Sequence, residues 1–329
     1  MKKISIKGKK MKKISIIGAG LMGHALALVY ALGGFKVRLT DSNTDTLERS
    51  KILMGSALDL LIKTKEISSN WSRQKLSKSV TWCTNLGETV EGAELVVEAI
   101  IESSKEKRNL FKKLSHMLSN DSILASNTSS LNVFPLIPSS LQKNSLIMHW
   151  YSPPYLCDLV DLAPGPKTDP QIVRKMFKIV KSLNKEPVIF KKFIPGYIAN
   201  RIQRVIYLEI FDLIDKKLVS PEDIDRSVIH GLALRMPIIG VMAKMDFEGL
   251  PLVQTLLANK GYKPPVYRGK CINVDNLIDA GKKGVMNGKG FFDWNNRSPE
   301  DLFKERNIKL IKLKKALRKI KPMGIKTHK

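Results

Sequence analysis

The chain has 329 residues, long enough for two domains with separate cores, and carries 56 Lys/Arg against 30 Asp/Glu for a net charge of +26. Its three cysteines (Cys83, Cys157, Cys271) show no paired spacing, which excludes a disulfide framework and points to a reducing, cytoplasmic setting. His24, His116, His149, His230 and His328 are scattered, and no cluster has metal-ligand spacing, so no metal is expected.

The charge is concentrated at the ends: residues 1–13 contribute +7, residues 304–329 contribute +10, and the remainder +9. Basic termini can bind nucleic acid or acidic partners. Here they read as solvated tails, and no nucleic-acid partner is expected. The excess in the middle suits an enzyme whose substrate carries phosphates.

In chain order, MKKISI opens the sequence and recurs at Met11–Ile16. Only the second copy leads into a glycine turn. Met11 is therefore the expected start, and residues 1–10 are expected to be a disordered basic extension. An apolar run (Ile14, Ile16, Ile17) then meets Gly18-Ala19-Gly20-Leu21-Met22-Gly23, followed by an Ala/Leu-rich helical stretch, a short run from Phe35 to Thr40, and Asp41. Strand, glycine turn, helix, strand and acid together form a dinucleotide-binding fingerprint. Gly18 permits the tight turn, Gly20 lets a pyrophosphate approach, and Gly23 lets helix and strand pack. The helix N-terminus offers N–H groups to phosphate. Asp41 can accept from a ribose 2′-hydroxyl and would repel a 2′-phosphate, so NAD is expected over NADP. Lys36 and Arg38 are near enough to keep NADP open. The stretch Ser15–Phe35 also resembles a signal or membrane anchor, but its glycines stand at the fingerprint positions and the helix end, and no membrane span is expected.

Helical patterns follow at Thr44–Lys65, Lys105–Leu118 and Pro170–Leu183. Short apolar runs at Val80–Cys83, Leu95–Ala99, Ile123–Ser126, Leu146–His149, Leu159–Leu162 and Pro187–Phe190 read as strands. This alternation predicts an α/β, Rossmann-type doubly wound sheet over residues 11–193. After Pro195-Gly196 only helical patterns remain: Tyr197–Leu218, Pro221–Leu234, Leu250–Asn259, Val274–Ala280 and Ser298–Ile320. Residues 194–329 are thus expected to form an all-α C-terminal domain for substrate and dimerisation. Its last helix is basic, with an apolar stripe (Phe303, Leu310, Leu313, Leu317, Ile320) expected to dock.

His149 ends a predicted strand, where open α/β sheets bind ligands, and suits acid–base work near neutral pH. Asp161 falls within the next strand and is placed to hold the imidazole. By position alone, a satisfied core histidine is an equal alternative.

These segments, with VVEAIIES (96–103), SNTSSL (126–131), MHWYSPPYLCDLVDL (148–162), PGYIANRI (195–202) and GKGFFDW (288–294), resemble the L-3-hydroxyacyl-CoA dehydrogenase family from Lys12 to about Trp294. The resemblance implies His149 as the catalytic histidine, Asp161 as its carboxylate partner, and Ser129 and Asn200 near the substrate's 3-oxygen. It places Glu102 and Lys107 beside the nicotinamide and ribose. Asn127 joins Gly18, Gly20, Leu21, Met22, Gly23 and Asp41 as expected cofactor contacts. It further implies NAD-dependent oxidation of a short-chain L-3-hydroxyacyl-CoA, while the apolar helices of the second domain suggest a homodimer built through residues 197–294. Two positions depart from the family: Asp161 replaces its usual glutamate, and Ser152 stands where Asn precedes Pro. His149-Trp150 and Gly231-Leu232-Ala233-Leu234-Arg235 are similar to the gulonate dehydrogenase and lambda-crystallin branch. A free hydroxy acid substrate, or a non-catalytic crystallin-like role, therefore stands as the alternative. Lys63, Lys65 and Arg73 are the candidate CoA contacts.

Overall fold

The computed structural model describes residues 11–266, 269–320, 322 and 323. The extension expected at residues 1–10 lies outside them. The chain divides into two compact units, residues 1–197 and 198–329.

The first unit is built on one eight-stranded sheet in the order β3-β2-β1-β4-β5-β6-β7-β8. The strands are β1 (Lys13–Ile17), β2 (Lys36–Thr40), β3 (Val80–Cys83), β4 (Leu95–Glu98), β5 (Ile123–Ser126), β6 (Ser145–Trp150), β7 (Leu159–Pro164) and β8 (Glu186–Ile189). Every neighbouring pair is parallel except β6 and β7. The stretch with anchor-like composition is divided between the central strand β1 and the buried helix Gly23–Leu32. Among the described residues no single helix is long and apolar enough to cross a membrane.

Strand order reverses between β1 and β4, which opens a crevice at their carboxyl ends. Alternation along β6 shows both faces covered. Trp150 meets Tyr30 of the helix Gly23–Leu32 edge to face, whereas Ile147 joins a cluster with Phe111 and Leu114 of the helix Ser104–Leu114. Helix starts carry their own signals. Asn43 accepts from Thr46 N, Ser103 from Glu106 N, and Asp169 from Gln171 N ahead of Pro170. Short helices at Arg73–Ser77, Leu86–Val90 and Ser139–Gln142 carry no periodic signal and were not expected.

The second unit is helical: Tyr197–Asp215 leads into it, followed by Pro221–Ser227 with a π-helical continuation Val228–Ala233, then Met236–Ile239, Met242–Glu248, Leu250–Ala258, Ile272–Asp279 and Pro299–Lys319. Asp215 accepts from the backbone N–H of Ile272 and Asn273, capping the helix Ile272–Asp279. The Asn273 side chain, which also donates to Asp215, and then these backbone bonds hold its carboxyl down at about 2. The terminal helix departs from expectation. Its buried residues are Leu302, Asn307 and Ile311, while Phe303, Leu310, Leu313 and Ile320 stay exposed. Asn307 lies roughly a quarter-turn and Ile311 about a third of a turn from the centre of the apolar stripe at 3.6 residues per turn, so most of that stripe is not what the helix buries.

Candidate active site

The glycine turn sits in the crevice. Gly18 has φ +101°, and its N–H donates to Thr40 O at 2.8 Å. A Cβ there would strike the Ala99 carbonyl beyond β4, and one at Gly23 would strike the Gly18 carbonyl. At Gly20 a Cβ would meet no protein atom at all. Packing therefore does not demand a glycine at this position. Leu21 is 74% exposed beside it, and no acid occupies the first turn of the helix Gly23–Leu32. The turn fits a pyrophosphate: open backbone faces a helix N-terminus with its positive end unopposed.

Asp41 is tied into this turn. Its Oδ2 accepts from Ala19 N at 2.7 Å and its Oδ1 from Asn43 N at 2.9 Å. Both bonds fix the carboxylate beside the turn, with lone pairs left for a ribose hydroxyl. The two cations that kept NADP open are engaged elsewhere. Arg38 donates to the carbonyls of Glu88 and Glu91, and Lys36 donates to Lys78 O.

At the next strand ends lies a polar network that reading the sequence missed in part. Glu98 ends β4 fully buried. Its Oε1 receives Lys107 Nζ at 2.5 Å and Ile100 N at 2.9 Å, and its Oε2 receives Ser126 Oγ at 2.5 Å. Lys107 is equally buried and also lies 3.3 Å from Glu102. Glu102 Oε1 gathers the loop after β5: Thr128 Oγ1 donates at 2.7 Å, Ser129 N at 2.8 Å and Ser130 N at 2.9 Å. Partial burial alone would raise the Glu102 pKa. The Thr128 and backbone donors and the Lys107 charge outweigh it and hold the carboxyl at about 2. Lys107, expected beside the cofactor, thus spends its ammonium on two carboxylates.

His149 and Asp161 face each other in register across the antiparallel β6–β7 pair. His149 Nδ1 lies 3.3 Å from Asp161 Oδ2, with the two residues 3% and 1% exposed. Two tyrosines complete the setting. Tyr151 Oη donates to the same Asp161 oxygen at 2.7 Å, and the Tyr197 ring stacks on the imidazole with centroids 4.5 Å apart. Tyr197 Oη donates to Thr128 O, and Trp150 N donates to Asn127 Oδ1. The second bond ties the loop after β5 to the strand end that carries His149, and the first ties it to the ring stacked on that histidine. The structure thus gathers His149, Asp161, Asn127, Ser129 and Glu102 around one edge of the sheet. Asn200 belongs to the second unit, in the first turn of its leading helix. No group of His, Cys, Asp and Glu among the described residues is arranged to hold a metal. Glu98 was legible only as an acid closing an apolar run. Tyr151 and Tyr197 gave no signal, because the β6–β7 register sets the partner of the first and the tertiary packing of a helix start sets those of the second.

The chain is similar to known proteins over most of its length. Residues 13–193 match the 3-hydroxyacyl-CoA dehydrogenase NAD binding domain, and residues 196–294 match the C-terminal domain of the same family. The chain belongs to the 3-hydroxyacyl-CoA dehydrogenase family of NAD-dependent oxidoreductases. It is 27% identical to 5-formyl-3-hydroxy-2-methylpyridine 4-carboxylate 5-dehydrogenase of Mesorhizobium japonicum over 93% of this chain and 98% of that protein. It is 32% identical to the mouse (Mus musculus) lambda-crystallin homolog over 71% of this chain and 74% of that one. A solved structure of a 5-formyl-3-hydroxy-2-methylpyridine 4-carboxylic acid 5-dehydrogenase, an NAD+-dependent dismutase, superposes with a TM-score of 0.85 at 27% identity, covering 95% of this chain and all of that one.

Proposed function

We propose that this enzyme oxidises the 3-hydroxyl of a short-chain L-3-hydroxyacyl-CoA, with His149 as the base. The observation that carries the reading is the buried His149–Asp161 contact at the carboxyl end of β6. NAD, when bound, supplies the hydride acceptor. Asp161 accepts the Nδ1–H and leaves Nε2 free to take the hydroxyl proton. The family resemblance assigns Ser129 and Asn200 to the 3-oxygen, and Glu102 fixes the loop on which Ser129 sits. Gly18, Gly20, Leu21, Met22, Gly23 and Asp41 hold the cofactor, with Asn127, Glu102 and Lys107 shaping its nicotinamide side.

A free carboxylate-bearing substrate is the second reading. The Mesorhizobium relative, matched along nearly its whole length, is named for a pyridine carboxylate and not for a CoA ester. Arg73, a candidate CoA contact, also donates to Asp59 at 2.6 Å. NADH formation with a panel of 3-hydroxyacyl-CoAs, free 3-hydroxy acids and 5-formyl-3-hydroxy-2-methylpyridine 4-carboxylate separates the readings. Turnover confined to CoA esters supports the first; turnover confined to free acids or the pyridine overturns it.

The working form we propose is a cytoplasmic homodimer built through the helical unit. Ile198, Ile202 and Val205 form one exposed stripe on the helix Tyr197–Asp215, and Met242, Leu250 and Leu257 are also exposed. A monomer at all concentrations in sedimentation velocity would remove this proposal.

A further inference from the structure

Asp161 is one methylene shorter than the family's glutamate, and a second side chain lies against it. In the β6–β7 register Asp161 stands opposite His149, and Tyr151 continues the same face two residues beyond that histidine. A diagonal cross-strand neighbour is within reach of an aromatic side chain. The Tyr151 ring lies edge-on to the imidazole, with centroids 4.6 Å apart, and its hydroxyl meets Asp161 Oδ2 at 2.7 Å. The imidazole contact to the same oxygen is longer, 3.3 Å. Of the two bonds the tyrosine's is the better formed, so it decides where that oxygen sits. A glutamate here would advance the carboxylate by about 1.5 Å, one C–C bond. It would then reach the imidazole without help and crowd the tyrosine hydroxyl.

We infer that Tyr151 is a positioning residue: its hydroxyl anchors the shortened carboxylate of Asp161 and, through it, the tautomer and aim of His149. The inference rests on the proposed role of His149 as the base. Burial, then the hydrogen bond and charge of Asp161, push the Tyr151 phenol up, so the hydroxyl remains a donor. The titratable side chains around this oxygen are His149 from β6, Tyr151 from the loop after it, and Tyr197, whose own phenol is also pushed up, first by burial and then by Asp161. None of these supplies a cation to Asp161 apart from His149 when it is protonated, which leaves the anchoring to the tyrosine hydroxyl.

The test is Tyr151→Phe in the full-length protein, read two ways. Nitrogen-15 NMR of the neutral imidazole, with the signals assigned by their loss in His149→Gln, reports the tautomer without any substrate. The parent is expected to show one tautomer with the proton on Nδ1, and Tyr151→Phe a mixture. Turnover is expected to fall about tenfold or more while KM for NAD stays within about twofold. Adding Asp161→Glu to the Tyr151→Phe background is expected to recover turnover, whereas Asp161→Glu beside the native tyrosine is not. Unchanged nitrogen shifts in Tyr151→Phe, or an Asp161→Glu effect equal in both backgrounds, overturns the inference. A changed tautomer with undiminished turnover retains the Tyr151 anchor but removes His149 as the base, so the two failures are distinguishable.

Discussion

Lys107 Nζ lies 2.5 Å from Glu98 Oε1, and neither side chain is more than 1% exposed. The pair joins the helix Ser104–Leu114 to the end of β4 where strand order reverses. A buried pair is not in itself strongly stabilising, but removing one member leaves the other charge stranded. Lys107→Met is expected to destabilise the protein by about 3–5 kcal/mol, and pairing it with Glu98→Gln to recover much of that loss. Urea denaturation of the two single variants and the double variant measures the coupling. Additive losses would mean that the ions do not act as a unit.

His149→Ala is expected to lower turnover by roughly 10²–10⁴-fold while NAD affinity changes little. Asp161→Asn is expected to keep the fold but lose activity, because the amide can stabilise the wrong tautomer. Steady-state kinetics beside isothermal titration with NAD provides the check. A His149→Ala enzyme with parental turnover would remove the histidine from the chemistry.

Glu102 offers a pH signature. Its carboxyl is held at about 2 against an ordinary 4.5, so the native state binds its proton more weakly than the unfolded chain. Its stabilising contribution is therefore full above about pH 4.5 and disappears as pH falls toward 2. The Tm gap between the parent and Glu102→Gln at pH 7 is expected to narrow by pH 3. The residue's partial exposure makes the gap a small one. A gap that widens on acidification would contradict the assignment of the Thr128 and backbone donors.

Gly20 separates packing from ligand. Because a Cβ there meets no protein atom, Gly20→Ala is expected to leave Tm nearly unchanged. NAD affinity should nevertheless fall, since the methyl occupies the phosphate's approach. Asp41→Ala is expected to weaken NAD and narrow its advantage over NADP, and to loosen the turn by freeing Ala19 N. Cofactor titration followed by fluorescence tests both variants. A stability loss at Gly20 with unchanged affinity would mean that the open space is not a ligand's.

The fingerprint was readable because each part is local: the turn, the helix and the following acid all lie within residues 13–41. His149 and Asp161 were readable from strand periodicity and the family resemblance. The partners of Glu98 were not. Ser126 lies 28 residues on, and only the β4–β5 register sets Glu98 beside it. The Tyr151 anchor depends in the same way on β7 running antiparallel to β6. The terminal helix misled because an apolar stripe reports amphipathicity but not which neighbour, if any, covers it.

The register of β6 and β7 has a further consequence. Backbone ladder bonds set the two residues opposite each other, so their pairing is as durable as the sheet, while the Tyr151 hydroxyl just beyond β6 holds the carboxylate oxygen. The loop from Tyr151 to Asp158 leaves the same edge without carrying either group. Changes beyond Tyr151, from residue 152 to residue 158, leave both the strand pairing and the Tyr151 hydroxyl contact to Asp161 in place. The strand register and the composition of the loop beyond Tyr151 can thereby vary independently.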